Sequence, residues 1–152
     1  MTLHTAIVKT EDEKISSEKA KNFILSEKNG AESIFVGRVR NENSGQKVNA
    51  VTYDVYDQAV IKSFQSICGD AKIKFDKSST IFLEHAKGYV PVGQISILIA
   101  VSSAHRDEAF KICRYILEEI KHKSPIWKKE HYTEGNEEWL PGHSLRPKEE
   151  IR

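Results

Sequence analysis

The chain has 152 residues, 39% of them hydrophobic, with 23 Lys+Arg against 22 Asp+Glu and a net charge of +1. A chain of this length buries roughly 70% of the surface its unfolded form exposes, so one domain holds together without a metal or a disulfide framework. The balanced charge argues against a general nucleic-acid coat, which needs a clear basic excess, and no apolar run approaches membrane-spanning length.

In chain order, residues 4–10 are β-rich and predict a short strand. Ser16 and Ser17 can cap a helix over 17–29, with Ala20, Phe23 and Ile24 on its buried face and Gly30 as its stop. AESIFVGRVR at 31–40 predicts a strand carrying Ile34, Phe35 and Val36. NENSGQKV at 41–48 is polar, contains Gly45 and reads as a mobile loop. AVTYDVY at 50–56 alternates as a half-buried strand does. Asp57 is a suitable N-cap for a helix that places Val60, Phe64, Ile67 and Cys68 at helical spacing. A strand over 80–85 is followed by a turn-rich connection, KGYVPVG, at 87–93.

QISILIAVS at 94–102 is nearly all apolar in its middle and reads as a central strand. A long helix over 104–123 follows, capped by Ser102 or Ser103, with Phe110, Cys113, Ile116, Leu117 and Ile120 on its core face. Pro125 must end it, because proline cannot continue a helix and biases Ser124 away from the helical region. The segment after Pro125 reads as extended, and one more strand is expected around Trp139. Strands and helices interleave, so the class is α/β or α+β, with one domain over 1–140 and a polar tail over 141–152. Cys68 and Cys113 fall on apolar stripes and read as buried, reduced thiols. The first residues are short on apolar side chains, which does not suit a signal peptide, and the cytoplasm is the expected compartment.

Three segments carry charge in patterns that suit chemistry. SSAHRDE at 102–108 places His105 and Arg106 where a strand hands over to a helix. Free backbone N–H groups at a helix start, with these two side chains, suit an anion such as phosphate. The alternative is an Arg106 paired with a nearby carboxylate beside an ordinary surface histidine. Gly37-Arg38-Val39-Arg40 puts two arginines on one strand face, fit to grip an anion or simply to charge a sheet edge. KHKSPIWKKE at 121–130 gathers Lys121, Lys123, Lys128 and Lys129 around a proline corner with Trp127. It reads either as a solvated helix end, where lysines suit the dipole, or as a partly dry place where a lysine loses its proton more readily. No glycine-rich phosphate loop, CxxC pair or HExxH is present, and the six histidines lack zinc-site spacing. Neither a metal nor a bound cofactor is expected.

FVGRVRN at 35–41, HAKGYVPVG at 85–93, SSAHRDEAF at 102–110, IKHKSPIWKKE at 120–130 and EGNEEW at 134–139 stand in the order and spacing of one family. The chain resembles the large, catalytic subunit of molybdopterin synthase over about residues 4–140. The resemblance implies an α/β hammerhead fold with an added antiparallel β subdomain. It implies conversion of cyclic pyranopterin monophosphate to the molybdopterin dithiolene. The sulfur would come from the C-terminal Gly-Gly thiocarboxylate of a small ubiquitin-like partner. It also implies a central homodimer flanked by two small subunits. The family's active-site lysines fall on Lys121 and Lys128, its strand arginine on Arg40, and its His-Arg pair on His105 and Arg106. On these positions the expectation is that Lys121 activates the tail carbonyl, Lys128 contacts the pterin, and Arg40, His105 and Arg106 hold the phosphate, with a lysine partly desolvated against Trp127 as acid or base. Ile126 and Lys129 depart from the usual phenylalanine and arginine, and the spacing after Glu130 is irregular by about a residue. A non-catalytic scaffold that docks a ubiquitin-like protein is the main alternative. An RNA-binding domain stacking bases on Trp127 is a weaker one, disfavoured by the balanced charge.

Overall fold

The computed structural model describes residues 1–133 and the backbone of Glu137–Trp139. Among the described residues eight strands and three helices run in the order β1 (Leu3–Lys9), α1 (Ser17–Ile24), β2 (Ala31–Arg38), β3 (Glu42–Asn43), β4 (Gln46–Val55), α2 (Asp57–Lys74), β5 (Thr80–Pro91), β6 (Ile95–Ser103), α3 (Arg106–Lys123), β7 (Ile126–Tyr132) and β8 (Glu137–Trp139). The strand order is β2-β6-β5-β4-β7-β8, with β1 parallel to β5 and β3 antiparallel to β4. Apart from β1, every pairing is antiparallel, and the fold is α+β. This is the layered sheet with an antiparallel extension that the resemblance implied. The expected tail over 141–152 lies outside the described residues.

The core is built from both faces of β5 and β6, which are buried on consecutive residues, and from the inner faces of the helices. Phe64 of α2, Phe82 and Leu83 of β5, Leu98 and Ile99 of β6, and Ile112, Ile116 and Ile120 of α3 are fully buried. Helix α3 packs on β2, β6 and α2, while α1 covers β5 and β6. Both cysteines are buried, and Cys68 is pushed up to about 12 by burial, as an inert core thiol should be.

Several local expectations are corrected. The expected loop at 41–48 is a tight hairpin, because Ser44 (φ 51) and Gly45 (φ 79) supply the left-handed pair that a two-residue turn requires. The expected connection at 87–93 is mostly strand. β5 pairs with β1 through Lys87, and then with β4 over Gly88–Pro91. The change of partner falls at Gly88 (φ +112), where a Cβ would lie 2.5 Å from Thr10 Oγ1. Helix α1 stops at Ile24 rather than near residue 29, because the buried Ser102 hydroxyl donates to the Ile24 carbonyl at 2.6 Å.

Neither expected serine caps α3. Ser102 and Ser103 are fully buried in β6, Ser103 donating to Asp76, and His105 is the N-cap without a side-chain cap bond. Asp57 is not a cap either. Tyr56 takes that position, and Asp57 accepts from Lys87 Nζ at 2.9 Å. On α3 the expected Cys113, Ile116 and Ile120 are buried, joined by Ala109 and Ile112, while Phe110 is 63% exposed.

Candidate active site

The proline corner builds the site. Helix α3 closes with the Ser124 N–H donating to the Ile120 carbonyl at 3.1 Å, and the Ser124 hydroxyl meets that of Ser63 at 2.9 Å. After Pro125 the chain runs back as β7, pairing antiparallel with β4 so that Lys128 lies opposite Tyr53 and Glu130 opposite Val51. Side chains alternate across a strand. Ile126, Lys128, Glu130 and Tyr132 therefore share one face, and the other three are buried there. Strand parity thus draws the Lys128 amine into a desolvated environment.

That environment is cationic on balance. Burial holds Lys128 below the usual lysine range. The charge of Glu130 works against this, and the charges of Arg40 and Lys121 add to it. Lys121 is half-buried in the last turn of α3, and Arg40 is exposed just beyond β2. Arg40 lines an open concavity of about 460 Å³ with Asn41, Glu42, Asn43 and Ser44. Glu130 is only 4% exposed, and the Asn43 amide nitrogen lies 3.0 and 2.9 Å from its two oxygens. Tyr53, opposite Lys128, is raised above the usual phenol range by burial, with a Ser96 hydrogen bond acting the other way and Glu130 adding to the rise. His85 stands edge-on to Tyr53 at 5.0 Å. It is fully enclosed, and burial pulls it down to about 4, so its neutral ring donates from Nδ1 to the Ala86 carbonyl at 2.7 Å.

Contrary to the expectation of a lysine dried by Trp127, that ring does not cover Lys128. It lies on the opposite face of β7, edge-on to Tyr56 at 5.2 Å. The two arginines of the strand end also part company. The register shifts between Gly37 and Arg38, the strand ends at Arg38, and Arg38 donates to the Gly93 carbonyl at 2.7 Å, away from Arg40's concavity.

The chain brings Arg40, Lys121 and Lys128 together but not His105 and Arg106. Arg106 opens α3 and Lys121 sits in its last turn, which at 1.5 Å per residue places them roughly 22 Å apart along the axis. The sheet register agrees. Ala31 lies beside Ser103 at the His105 end, and Arg38 beside Ile95 at the Arg40 end. Both His105 and Arg106 are exposed, and among the described residues Arg106 forms no ion pair with a carboxylate. Sequence reasoning missed Glu130 as Lys128's electrostatic partner, although their spacing of two in a strand signals it. It also missed Asn43 and Tyr53, which only the β4 pairings reveal. Among the described residues no group of three His, Cys, Asp or Glu could hold a metal, and no helix is long and apolar enough to cross a membrane.

The arrangement can bind anions at Arg40 and Lys121 and can move a proton at Lys128. The family model described as MoaE protein matches residues 10–123. The molybdopterin synthase catalytic subunit of Synechococcus elongatus is 40% identical over 126 residues, covering 83% of this chain and 76% of that protein. The crystal structure of molybdopterin synthase from Staphylococcus aureus superposes with a TM-score of 0.82 at 32% identity, covering 90% of this chain and 96% of that one. A complex of subunits 1 and 2 of molybdopterin-converting factor from Helicobacter pylori shares the fold with a TM-score of 0.72 at 23% identity, over 95% of this chain and 93% of that one. The chain belongs to the MoaE family, that of molybdopterin synthase catalytic subunits, enzymes of molybdenum cofactor biosynthesis.

Proposed function

We propose that the chain transfers sulfur from the C-terminal thiocarboxylate of a small ubiquitin-like subunit to cyclic pyranopterin monophosphate, forming the molybdopterin dithiolene. The observation that carries this reading is the placement of Lys128 on the inner face of β7, where burial with Arg40 and Lys121 nearby weakens its hold on a proton. Sulfur transfer needs proton movement at the pterin side chain and release of a carboxylate from the tail. A lysine with lowered proton affinity can act there as general base and then return the proton as acid. Lys121, at the rim, activates the tail carbonyl electrostatically. Arg40 serves the substrate phosphate.

His105 and Arg106 join this pocket from a second copy of the chain. Phe110 is exposed one turn beyond Arg106, Phe35 is 37% exposed on β2, and β2 pairs only with β6 among the described residues. An open strand edge beside two exposed phenylalanines suits self-association. The solved Helicobacter pylori relative is a two-subunit complex, which supports a partner chain here as well. Two buried thiols suit a reducing compartment, the cytoplasm. A scaffold that only docks the small subunit has no need of an amine held in a costly desolvated place. The test is Lys121→Ala: dithiolene formation should be lost while binding of the small subunit stays measurable. Turnover at the parent rate in that variant refutes the role given to Lys121.

A further inference from the structure

Glu130 is a nearly enclosed carboxylate two residues from a partly buried amine on the same strand face, yet none of the ion pairs among the described residues joins it to Lys128. What occupies both of its oxygens instead is the Asn43 amide, at 3.0 and 2.9 Å. Asn43 is held firmly for this task. It is paired with Gln46 across the β3–β4 turn, and the Val48 N–H donates to the Asn41 carbonyl at 2.9 Å just behind it. We propose that Asn43 is a positioning residue for the site: it holds Glu130 beside Lys128 without letting the two close into an ion pair.

The arrangement matters because both extremes impair the amine. A Lys128 locked on a carboxylate holds its proton too tightly to act as a base, and one without any counter-charge loses it too readily to act as an acid. The groups facing Lys128 are Glu130 on its own strand, Arg40 before the hairpin, Lys121 from α3 and Tyr53 from β4. Only Glu130 is anionic among them. Removing the Asn43 amide leaves buried carboxylate oxygens short of donors, which a buried acceptor does not tolerate. The Lys128 ammonium is a donor within reach, since residues two apart on one strand face lie about 6.5–7 Å apart at Cα and both side chains are long. Asn43→Ala therefore lets the pair close and strengthens Lys128's hold on its proton. Glu130→Gln keeps the shape and still accepts from Asn43, but removes the counter-charge and weakens that hold. A merely structural hairpin contact would not move the two variants in opposite directions.

The inference rests on the proposed role of Lys128 only for its activity arm. The direct arm is competitive acylation of the lysines with a dilute reagent across pH, read by mass spectrometry on protein verified as folded by circular dichroism. The Lys128 midpoint should rise by roughly one pH unit in Asn43→Ala and fall by roughly one in Glu130→Gln, the size of one contact charge in a partly wetted site. Asn43→Ser, which keeps a short donor and a good turn residue, should shift it upward by less. An unmoved midpoint in Asn43→Ala and Asn43→Ser, or shifts of the same sign in Asn43→Ala and Glu130→Gln, overturns the proposal. In the activity arm, the limb of the kcat/KM profile assigned to Lys128 should move with the labelling midpoint. If labelling shifts and the profile does not, Asn43 still positions Glu130, and the catalytic role of Lys128 is the part that fails.

Discussion

Replacing Lys128 by methionine should stabilise the protein while abolishing its activity. Methionine keeps an unbranched stem for the contacts with the inner face of β7, among Ile126, Tyr53 and Val55, and removes the ammonium that burial disfavours there. Relief of one such functional strain is worth about 1 kcal/mol, within the range of about 0.5–2 found for single stabilising changes. Unfolding entropy near Tm is about 2.1 cal/mol/K per residue, so for the 152-residue chain 1 kcal/mol corresponds to a rise in Tm of roughly 3 °C. The pH dependence gives a sharper signature. Lys128 is held below its unfolded value, so between the two values the unfolded chain binds more protons and the parent's stability rises with pH. The advantage of the methionine variant is therefore full below the folded-state value of Lys128, and it shrinks as pH climbs toward the unfolded lysine value of about 10.4. Urea unfolding at a series of pH values, with product formation measured in parallel, reads both effects. A variant less stable than the parent at neutral pH, or a difference that does not change with pH, refutes the placement of Lys128 in a desolvated site.

His85 supplies a second pH-dependent term of known sign. Burial brings it down to about 4 from 6.5, so its neutral ring favours the fold fully above pH 6.5, and about 3 kcal/mol is lost as pH falls through 4; unfolding midpoints of the parent and of His85→Gln should converge on acidification. Gly88→Ala forces a side chain into φ +112 and within 2.5 Å of Thr10 Oγ1, which should cost about 1–3 kcal/mol in denaturant unfolding and loosen the junction where β5 changes partner. Phe110→Ser removes an apolar surface that is 63% exposed; it should leave the single chain as stable as before but shift sedimentation from dimer to monomer and lower activity in step. If the variant sediments as the parent does, the second-copy source of His105 and Arg106 is wrong.

The sequence made the layer order legible wherever periodicity was clean. The apolar run at 94–102 is the strand β6, the helical stripe of Val60, Phe64, Ile67 and Cys68 is α2, and the stop at Pro125 falls where the structure has it. Apart from the 41–48 hairpin, which its own turn residues build, the misread segments share one cause, a local signal overridden by a distant partner. Ser102 and Ser103 are good helix caps by composition, yet β6 buries them and spends their hydroxyls on Ile24 and Asp76. KGYVPVG looks like a turn, yet β4 arrives to extend the sheet over Gly88–Pro91, and the turn-like φ survives at Gly88 and Gly93. Phe110 fits the helical stripe of α3, but the sheet it would cover ends at β2. At the site, the lysines and Arg40 were visible as residue types and spacing. The drying of Lys128 was visible only as a vague effect of a neighbouring aromatic, because which strand face points inward depends on the β4–β7 register. The separation of His105 and Arg106 from Lys121 follows from the length of α3 and was readable from the expected helix span itself.

The central claim is that Lys128 and Lys121 carry out sulfur transfer to a pterin. Its most direct test is reconstitution: the purified chain, a small ubiquitin-like subunit thiocarboxylated at its terminal glycine, and cyclic pyranopterin monophosphate, with products followed by mass. The expected product gains two sulfurs as two thiocarboxylates, each supplying one, convert to carboxylates, with none formed by Lys128→Met. A complex of chain and small subunit that binds the pterin but leaves it free of sulfur contradicts the account, as does sulfur incorporation by Lys128→Met at the parent rate.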